Sequence, residues 1–572
     1  MKRSFTTLLL TAMLLPTGTV LAAEQGNATA AVEQAAVIPE VAPIPPAIQK
    51  TMTKLFELQP AFKQLHIHSG APDETNKTFS VFLTDTPTDE TSLKEHPISS
   101  SGNLTFDMKT GELLSFSIQM KEWTSEKLPT TRLAKEKAEQ FLISWLGAEE
   151  RKQFGTPTSR SSGSITYDSD QKPITWSYRY AEFPVILNNI PVSGFNFVQI
   201  KVDSAGRIVG GEFNVPNLKN ISTPAIAVRA ADDMKKQLIT ADSLMLQYVE
   251  KQPERYGNYL KEIQEAKPAL RYDLNVYGPF NAQTGKPIHG MTGEELKQNS
   301  GSAVPWKVVQ IKPQGNKLIA HSEQEAAEVL GNLFNFDFSQ MQLQKHDGST
   351  FTSRESSPYS HYFWSDQKGS GINVNIDQTS GLITDASLDI NQENNRPATV
   401  SKEEAFATAL TFIEKYAGPT AKELEVQYHT FEREQPPAWV DKEKAPTFSE
   451  NEQQKHYFWF QERYEGIPVM GRSYSVTVDA ATGKITNFSL APYQEKLSLP
   501  APEGIVSKEK AAESFLQNNK LKLEYLWPSY FDQPGPAPIL TYTWERSGNT
   551  DDYVDAFTGN YVRIPIEPYD EE

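Results

Sequence analysis

The 572-residue chain has no cysteine. That excludes a disulfide framework, a thiol nucleophile, thiolate metal sites and lipid attachment through an N-terminal cysteine. Long hydrophobic runs are also missing. The longest apolar stretch near the start comprises Leu8, Leu9, Leu10, Ala12, Met13, Leu14 and Leu15, behind Lys2 and Arg3. Val20 and Ala22 then sit at the −3 and −1 positions of a cleavage site before Ala23, so residues 1–22 are predicted to be an export signal. No later segment approaches the ~20 apolar residues of a membrane-spanning helix. The mature chain is expected to be soluble and outside the cytoplasmic membrane. Basic residues are in the minority, 55 against 72 acidic ones, for a net charge of −17, or −19 once Lys2 and Arg3 are gone. Such a surface repels phosphate backbones and argues against nucleic-acid binding. The acidity fits solubility, or attraction to cations or to a basic partner.

Motifs that carry chemistry are scarce too. There is no His-Glu-x-x-His. Of the nine histidines, only His66 and His68 are close neighbours; on a strand they would share a face and could touch one metal, but two ligands are too few. No Gly-x-Ser-x-Gly elbow and no Gly-rich phosphate loop occurs. Ser507-Lys-Glu-Lys510 fits a bare Ser-x-x-Lys spacing, yet Ser507 is also placed to cap a helix. Asp168 with Asp170, and Asp85 with Asp89 and Glu90, lack calcium-loop spacing and read as solvated loops. Carboxylate pairs from distant parts of the chain stay open, since 72 acids make some pair inevitable. No catalytic, metal-binding or cofactor-binding residue is assigned, and no enzyme activity is expected.

What the chain does have is repetition. An acid or Asn, two variable residues, Thr or Ser, and Gly recur around Gly111, Gly285, Gly381, Gly483 and Gly559, with a copy one residue shorter at Gly206. Asp or Asn accepts backbone N–H groups inside a turn and Gly supplies positive φ, so each copy predicts a β-hairpin. Gly111 to Gly381 is 270 residues, Gly206 to Gly483 is 277 and Gly285 to Gly559 is 274. This spacing predicts two copies of a three-unit module, residues 48–290 and 321–567. Residues 23–47 read as a linker, 291–320 as a connector with one strand at Trp306–Ile311, and 568–572 as an acidic tail.

A helix precedes most hairpins. Ser401 with Glu404 and Ser322 with Glu325 have capping-box spacing, and Thr130, Asp233 and Ser507 occupy matching starts. Between helix and hairpin lies an aromatic strand, as in His361-Tyr-Phe-Trp364 and His456-Tyr-Phe-Trp459. Trp176, Trp364, Trp459 and Trp544 could form a sugar-stacking face, but their recurrence favours the core under the helix. Trp123, Trp439 and Trp527 lie outside that register and are candidates for surface contacts. Each unit is expected to be α+β, one helix on a small antiparallel sheet.

Val400-Ser-Lys-Glu-Glu-Ala405, Tyr464-Glu-Gly-Ile-Pro-Val469 and Val476-Thr-Val-Asp-Ala-Ala-Thr-Gly-Lys-Ile485 resemble the PepSY pattern of peptidase propeptides and related exported proteins. Two long modules behind a signal peptide resemble the YcdB/YcdC domain family of Bacillus-like and Paenibacillus-like bacteria. The resemblance implies tandem PepSY-like units and a non-catalytic role outside the cell, assisting or inhibiting a peptidase. The expected partner is therefore an extracellular or wall-associated protein such as a peptidase, with no cofactor, no nucleic acid and no membrane span. A cell-wall or glycan-binding structural protein is the alternative, and an unrecognised hydrolase a third reading.

Overall fold

The computed structural model describes residues 42–73, 77–85, 99–167, 173–193, 197–215, 227–252, 267–296, 306–343, 359–366, 369–389, 397–430, 436–444, 455–531, 533–545 and 550–565. The predicted export signal, Asp89, Glu90, His96, Asp168, Asp170, His346 and the acidic tail lie outside them. The fold is mixed α+β.

All six turn motifs form hairpins by one mechanism. Asp377 Oδ1 accepts from Thr379 N at 3.1 Å and Ser380 N at 2.7 Å, and Gly381 closes the turn at φ 70°. Asp107, Asn281, Asp479 and Asp555 do the same for the two N–H groups inside their turns, and Asp203, in the turn one residue shorter, accepts from Ala205 N and from Arg207 N just past Gly206. Each turn glycine packs against the start of a helix. A Cβ on Gly381 would enter the His321 ring, and one on Gly111 would press on Ala47.

In the first half, α1 (Pro46–Leu58) is followed by β1 (His66–Asp73), β2 (Thr78–Thr84), β3 (Ser101–Asp107) and β4 (Leu113–Gln119). Then come α2 (Thr131–Leu146), β5 (Thr158–Tyr167), β6 (Pro173–Pro184), a short hairpin β7 (Ile186–Leu187) and β8 (Ile190–Ser193), β9 (Phe197–Asp203) and β10 (Ile208–Asn214). The two four-stranded meanders join through their last strands, giving the order β1-β2-β3-β4-β10-β9-β6-β5. The expected small separate sheets are thus fused into one. After them follow α3 (Ala231–Leu238), β11 (Leu244–Gln252), β12 (Lys267–Leu274) and β13 (Phe280–Asn281).

The second half opens with β14 (Lys307–Gln310), α4 (Glu323–Phe334), β15 (Gln342–Leu343), β16 (Tyr359–Ser365), β17 (Gly371–Asp377) and β18 (Ile383–Asp389). α5 (Lys402–Tyr416) leads to β19 (Glu423–Thr430), β20 (Lys455–Tyr464), β21 (Ile467–Asp479) and β22 (Ile485–Ser489). These two meanders also join by their last strands, β18 on β22. The chain ends with α6 (Lys508–Asn518), β23 (Leu521–Leu526), the two-residue hairpin strands β24 (Ser529–Tyr530) and β25 (Gln533–Pro534), β26 (Ile539–Trp544), β27 (Thr550–Asp555) and β28 (Tyr561–Pro565).

Helix starts follow their sequence signals at most positions. Ser401 and Glu404 form a reciprocal capping box. Thr130, Ser322 and Ser507 each accept from the N–H three residues on. Glu325 departs by one residue: its carboxylate takes the His321 N–H rather than that of Ser322. Asp233 is not a cap, because α3 starts after Ala230 and Asp233 lies in its first turn. Each large sheet is covered by helices on one face, over cores that include Phe62, Phe106, Phe141 and Phe183 in the first half and Phe406, Phe412, Phe460 and Phe488 in the second.

The ends of the two halves exchange strands. β11 and β12 of the first half sit between β21 and the β27-β28 hairpin of the second. β23 and β26 of the second half sit between the β8 and β13 strands of the first. The joints match: β8 and β21 each add a parallel partner, Val192 opposite Tyr525 and Val469 opposite Tyr248. Helix α6 consequently covers strands from both halves, and its Phe515 shares a core with Tyr248, Leu270 and Val554.

Candidate functional site

The residue pairs that suggested chemistry are dispersed. A bulge between Ile67 and Ser69 breaks the alternation that would set His66 and His68 on one face, and His68 packs edge-on to Phe82, 5.6 Å between centroids. No three His, Asp or Glu side chains gather as a metal set among the described residues. Ser507 accepts the Lys510 backbone N–H as a helix cap. Asp85 accepts from Ser100 N and pairs with Lys121 at 3.3 Å.

Two of the buried arginines serve the joint between the halves. Arg472, 1% exposed, pairs with the fully buried Glu462 and, at 3.6 Å, with Glu250 of the other half. Arg271, 3% exposed, pairs with its neighbour Asp273 and, at 2.8 Å, with Asp551 across the joint. Burial pushes the Tyr248 hydroxyl there up to about 12, helped by Glu465 and Tyr464, so it donates to Pro500 O as a neutral group. A groove of about 510 Å³ between α4 and α5 is lined by Leu333, Phe412, Tyr416 and Ile485, with Lys415 as its one charged wall residue.

The tryptophans divide by strand register. Trp364 is in the core, whereas Trp459 is half-buried and turned away from the helices. The same tetrapeptide meets its sheet with opposite faces. In β20 it is His456, Phe458 and Phe460 that point to α5, and His456 Nε2 contacts Val400 O at 3.0 Å just before the helix. Trp527 is buried, not a surface contact, and donates to Gly535 O at 2.8 Å. Trp176 is buried with Nε1 on Met120 O, and Trp544 is half-buried with Nε1 on Val276 O. Trp123 stacks under Arg207, 4.6 Å from the ring centre, and Trp439 is half-buried.

Trp306 was legible only as part of a strand, and the structure makes it the centre of a built site. β14 lies antiparallel on the edge of β19, Lys307 opposite Val426 through Gln310 opposite Glu423. Trp306 N donates to Val426 O at 2.8 Å. The indole meets Phe406 edge-on at 5.0 Å, with Tyr428 at 5.9 Å and Phe458 at 6.3 Å. The ammonium groups of Lys402 and Lys307 stand 3.6 Å and 4.1 Å from its ring centre, a cation–π arrangement. Burial pushes the Lys307 ammonium down, Lys402 adding to this and Glu403 opposing it. On the other face of this edge, burial raises the Glu425 carboxyl against the pull of Arg463.

The sheet faces turned away from the helices carry matching rows. In the second half Phe363, Asn373, Ser387, Asn487, Thr477, Tyr457 and His429 stand side by side across seven strands. In the first half the row is Phe82, Asn103, Ser117, Gly210, Lys201, Tyr180 and Arg160.

Residues 339–491, which include β15–β22 and α5, match a known family model. The model is that of the YcdB, YcdC repeated domain, which this segment resembles. Within the matched span lie the β19 edge, Phe406, Tyr428 and Phe458, while Trp306 and β14 lie outside it. No curated protein matches the chain. Among solved structures the chain is similar to the C-terminal domain of YpeB from Bacillus megaterium, with 15% identity over 42% of this chain and 97% of that one, at a TM-score of 0.23.

Proposed function

We propose that this chain is an exported, non-catalytic binding protein that takes an extended segment of another extracellular or wall-associated protein, such as a peptidase, onto a sheet edge. In this reading it is two copies of a three-unit PepSY-like module, interlocked through their third units. One observation carries it: a four-residue segment from outside the repeated domain is already added to that domain's edge strand, backbone to backbone and with an aromatic anchor. That is the geometry of β-strand addition, in which main-chain hydrogen bonds supply affinity and side-chain pockets supply selectivity. The test is affinity capture of the mature protein from the organism's extracellular fluid, read by mass spectrometry, together with assays of the secreted peptidases. A recovered peptidase or wall protein is expected. Recovery of none, with peptidase rates unchanged, would sink the proposal.

The matching Phe-Asn-Ser rows favour a second reading, a glycan lying across an amide- and hydroxyl-rich sheet face between aromatic ends. It predicts sedimentation with purified peptidoglycan, lost on Asn373→Ala and Asn103→Ala.

A further inference from the structure

β14 covers only half of the strand it pairs with. It runs opposite Glu423–Val426, and among the described residues nothing pairs with Gln427–Thr430 on that side. The residue before Trp306 is Pro305. Proline has no N–H to donate to a ladder, so a ladder carried back past Trp306 would lack that bond at position 305. Along β14 the side chains alternate between half-buried and exposed, and Val308 is 44% exposed.

We propose that β14 is an internal ligand of a strand-binding site, and that an extended partner segment replaces it along the full length of β19. The partner's segment carries an aromatic residue in the Trp306 position, β-branched residues after it and a residue other than proline before it. This inference rests on the strand-addition reading and names its site and ligand class. Phe406, Tyr428 and Phe458 form the aromatic pocket, with Lys402 over the ring. Glu423 and Glu425 line the other face, where Gln310 Nε2 donates to Glu423 at 2.7 Å. A longer ligand gains the ladder positions beyond Val426, with which no described residue pairs on that side. The internal segment holds the advantage of being tethered, which gives it a high effective concentration. The site is therefore gated: it opens to a ligand that offers more backbone than β14 does.

The experiment uses the full mature chain and two fluorescent peptides with capped ends. Both copy residues 301–311, one unchanged and one with Thr in place of Pro305. The Thr peptide is expected to bind wild-type protein weakly, and Trp306→Ala about tenfold more tightly, since that variant weakens the competitor by roughly one or two net contacts. The unchanged peptide should bind about tenfold more weakly than the Thr peptide, the effect of a missing ladder hydrogen bond or two. Phe406→Ala added to Trp306→Ala should abolish binding. If Trp306→Ala does not fold, Val309→Pro serves instead, since it removes a ladder N–H of β14 and leaves the pocket untouched. Equal binding of the two peptides, or no binding to a folded variant, overturns the inference. Capture of an extracellular partner separates the two levels. A partner held equally by wild type and Trp306→Ala, and not displaced by the Thr peptide, refutes the site alone. No partner with either protein refutes the strand-addition reading itself.

Discussion

Hydrogen bonds to Asp377, from the Ser380 hydroxyl first and then the Ser380 and Thr379 N–H groups, hold its carboxyl below the ordinary 3.8. Asp107 is held down in the same way, chiefly by the Thr110 N–H. The sign follows from linkage. A depressed carboxyl adds stability that is present above its unfolded value and is lost as pH falls through the folded one. Asp377→Ala is thus expected to cost about 1 kcal/mol at neutral pH, the net worth of such a hydrogen bond at a half-exposed site. The cost should shrink below pH ~3, where the unfolded carboxyl is already protonated. Denaturant titrations at both pH values measure this, and an equal cost at each would refute it. Gly381→Ala should cost at least about 1 kcal/mol at any pH, because φ is 70° and a Cβ would enter the His321 ring.

Strands β16 and β20 carry the same His-Tyr-Phe-Trp tetrapeptide with opposite faces inward. A shift of one residue moves a whole side-chain set between core and solvent. Trp364→Ala is accordingly expected to cost about 3–5 kcal/mol, as for other buried tryptophans. Trp459→Ala should cost about 1 kcal/mol or less, in the range of substitutions away from the core. Thermal or urea unfolding of the two variants side by side decides it, and equal losses would contradict the register. A similar asymmetry marks the edges. β19 has a strand laid on part of its outer side, whereas β5, which precedes β6 as β19 precedes β20, pairs only with β6 among the described residues.

At the level of the whole molecule, the exchanged ends are the dominant feature. Two sheets each contain strands from both halves, and two buried arginines each pair with a carboxylate across the joint. Removing one partner of a buried ion pair strands the other, so Arg271→Ala should cost about 3–5 kcal/mol. The joint is made by strand pairing and shared core, so it does not depend on the peptide bond that links the halves. A protease site inserted between Lys297 and Pro305 tests this. After cleavage the halves are expected to elute together on gel filtration in native buffer and to part only in denaturant. Separation in native buffer would show that the exchange does not hold them.

The local chemistry was readable from the chain alone. Asp377 through Gly381 specifies a hairpin wherever it stands, because its hydrogen bonds and its φ > 0 residue lie within five positions. Ser401 with Glu404 specifies a helix start for the same reason. The α+β class follows, since helix starts and two-residue alternation recur in turn. The partner of each strand was not readable. β11 and β12 alternate in the same way whether they pair within their own half or between β21 and β27, so period 2 is silent on which neighbour is chosen. The aromatic pocket was hidden for the same cause. Trp306 stands 100 residues from Phe406 and 152 from Phe458 in the chain, and only the edge pairing of β14 with β19 brings the three rings together. Contacts within a turn are decided by residue type and short spacing. Contacts between elements are decided by which packed arrangement buries the most apolar surface while satisfying every ladder group, and that is a property of the folded chain as a whole.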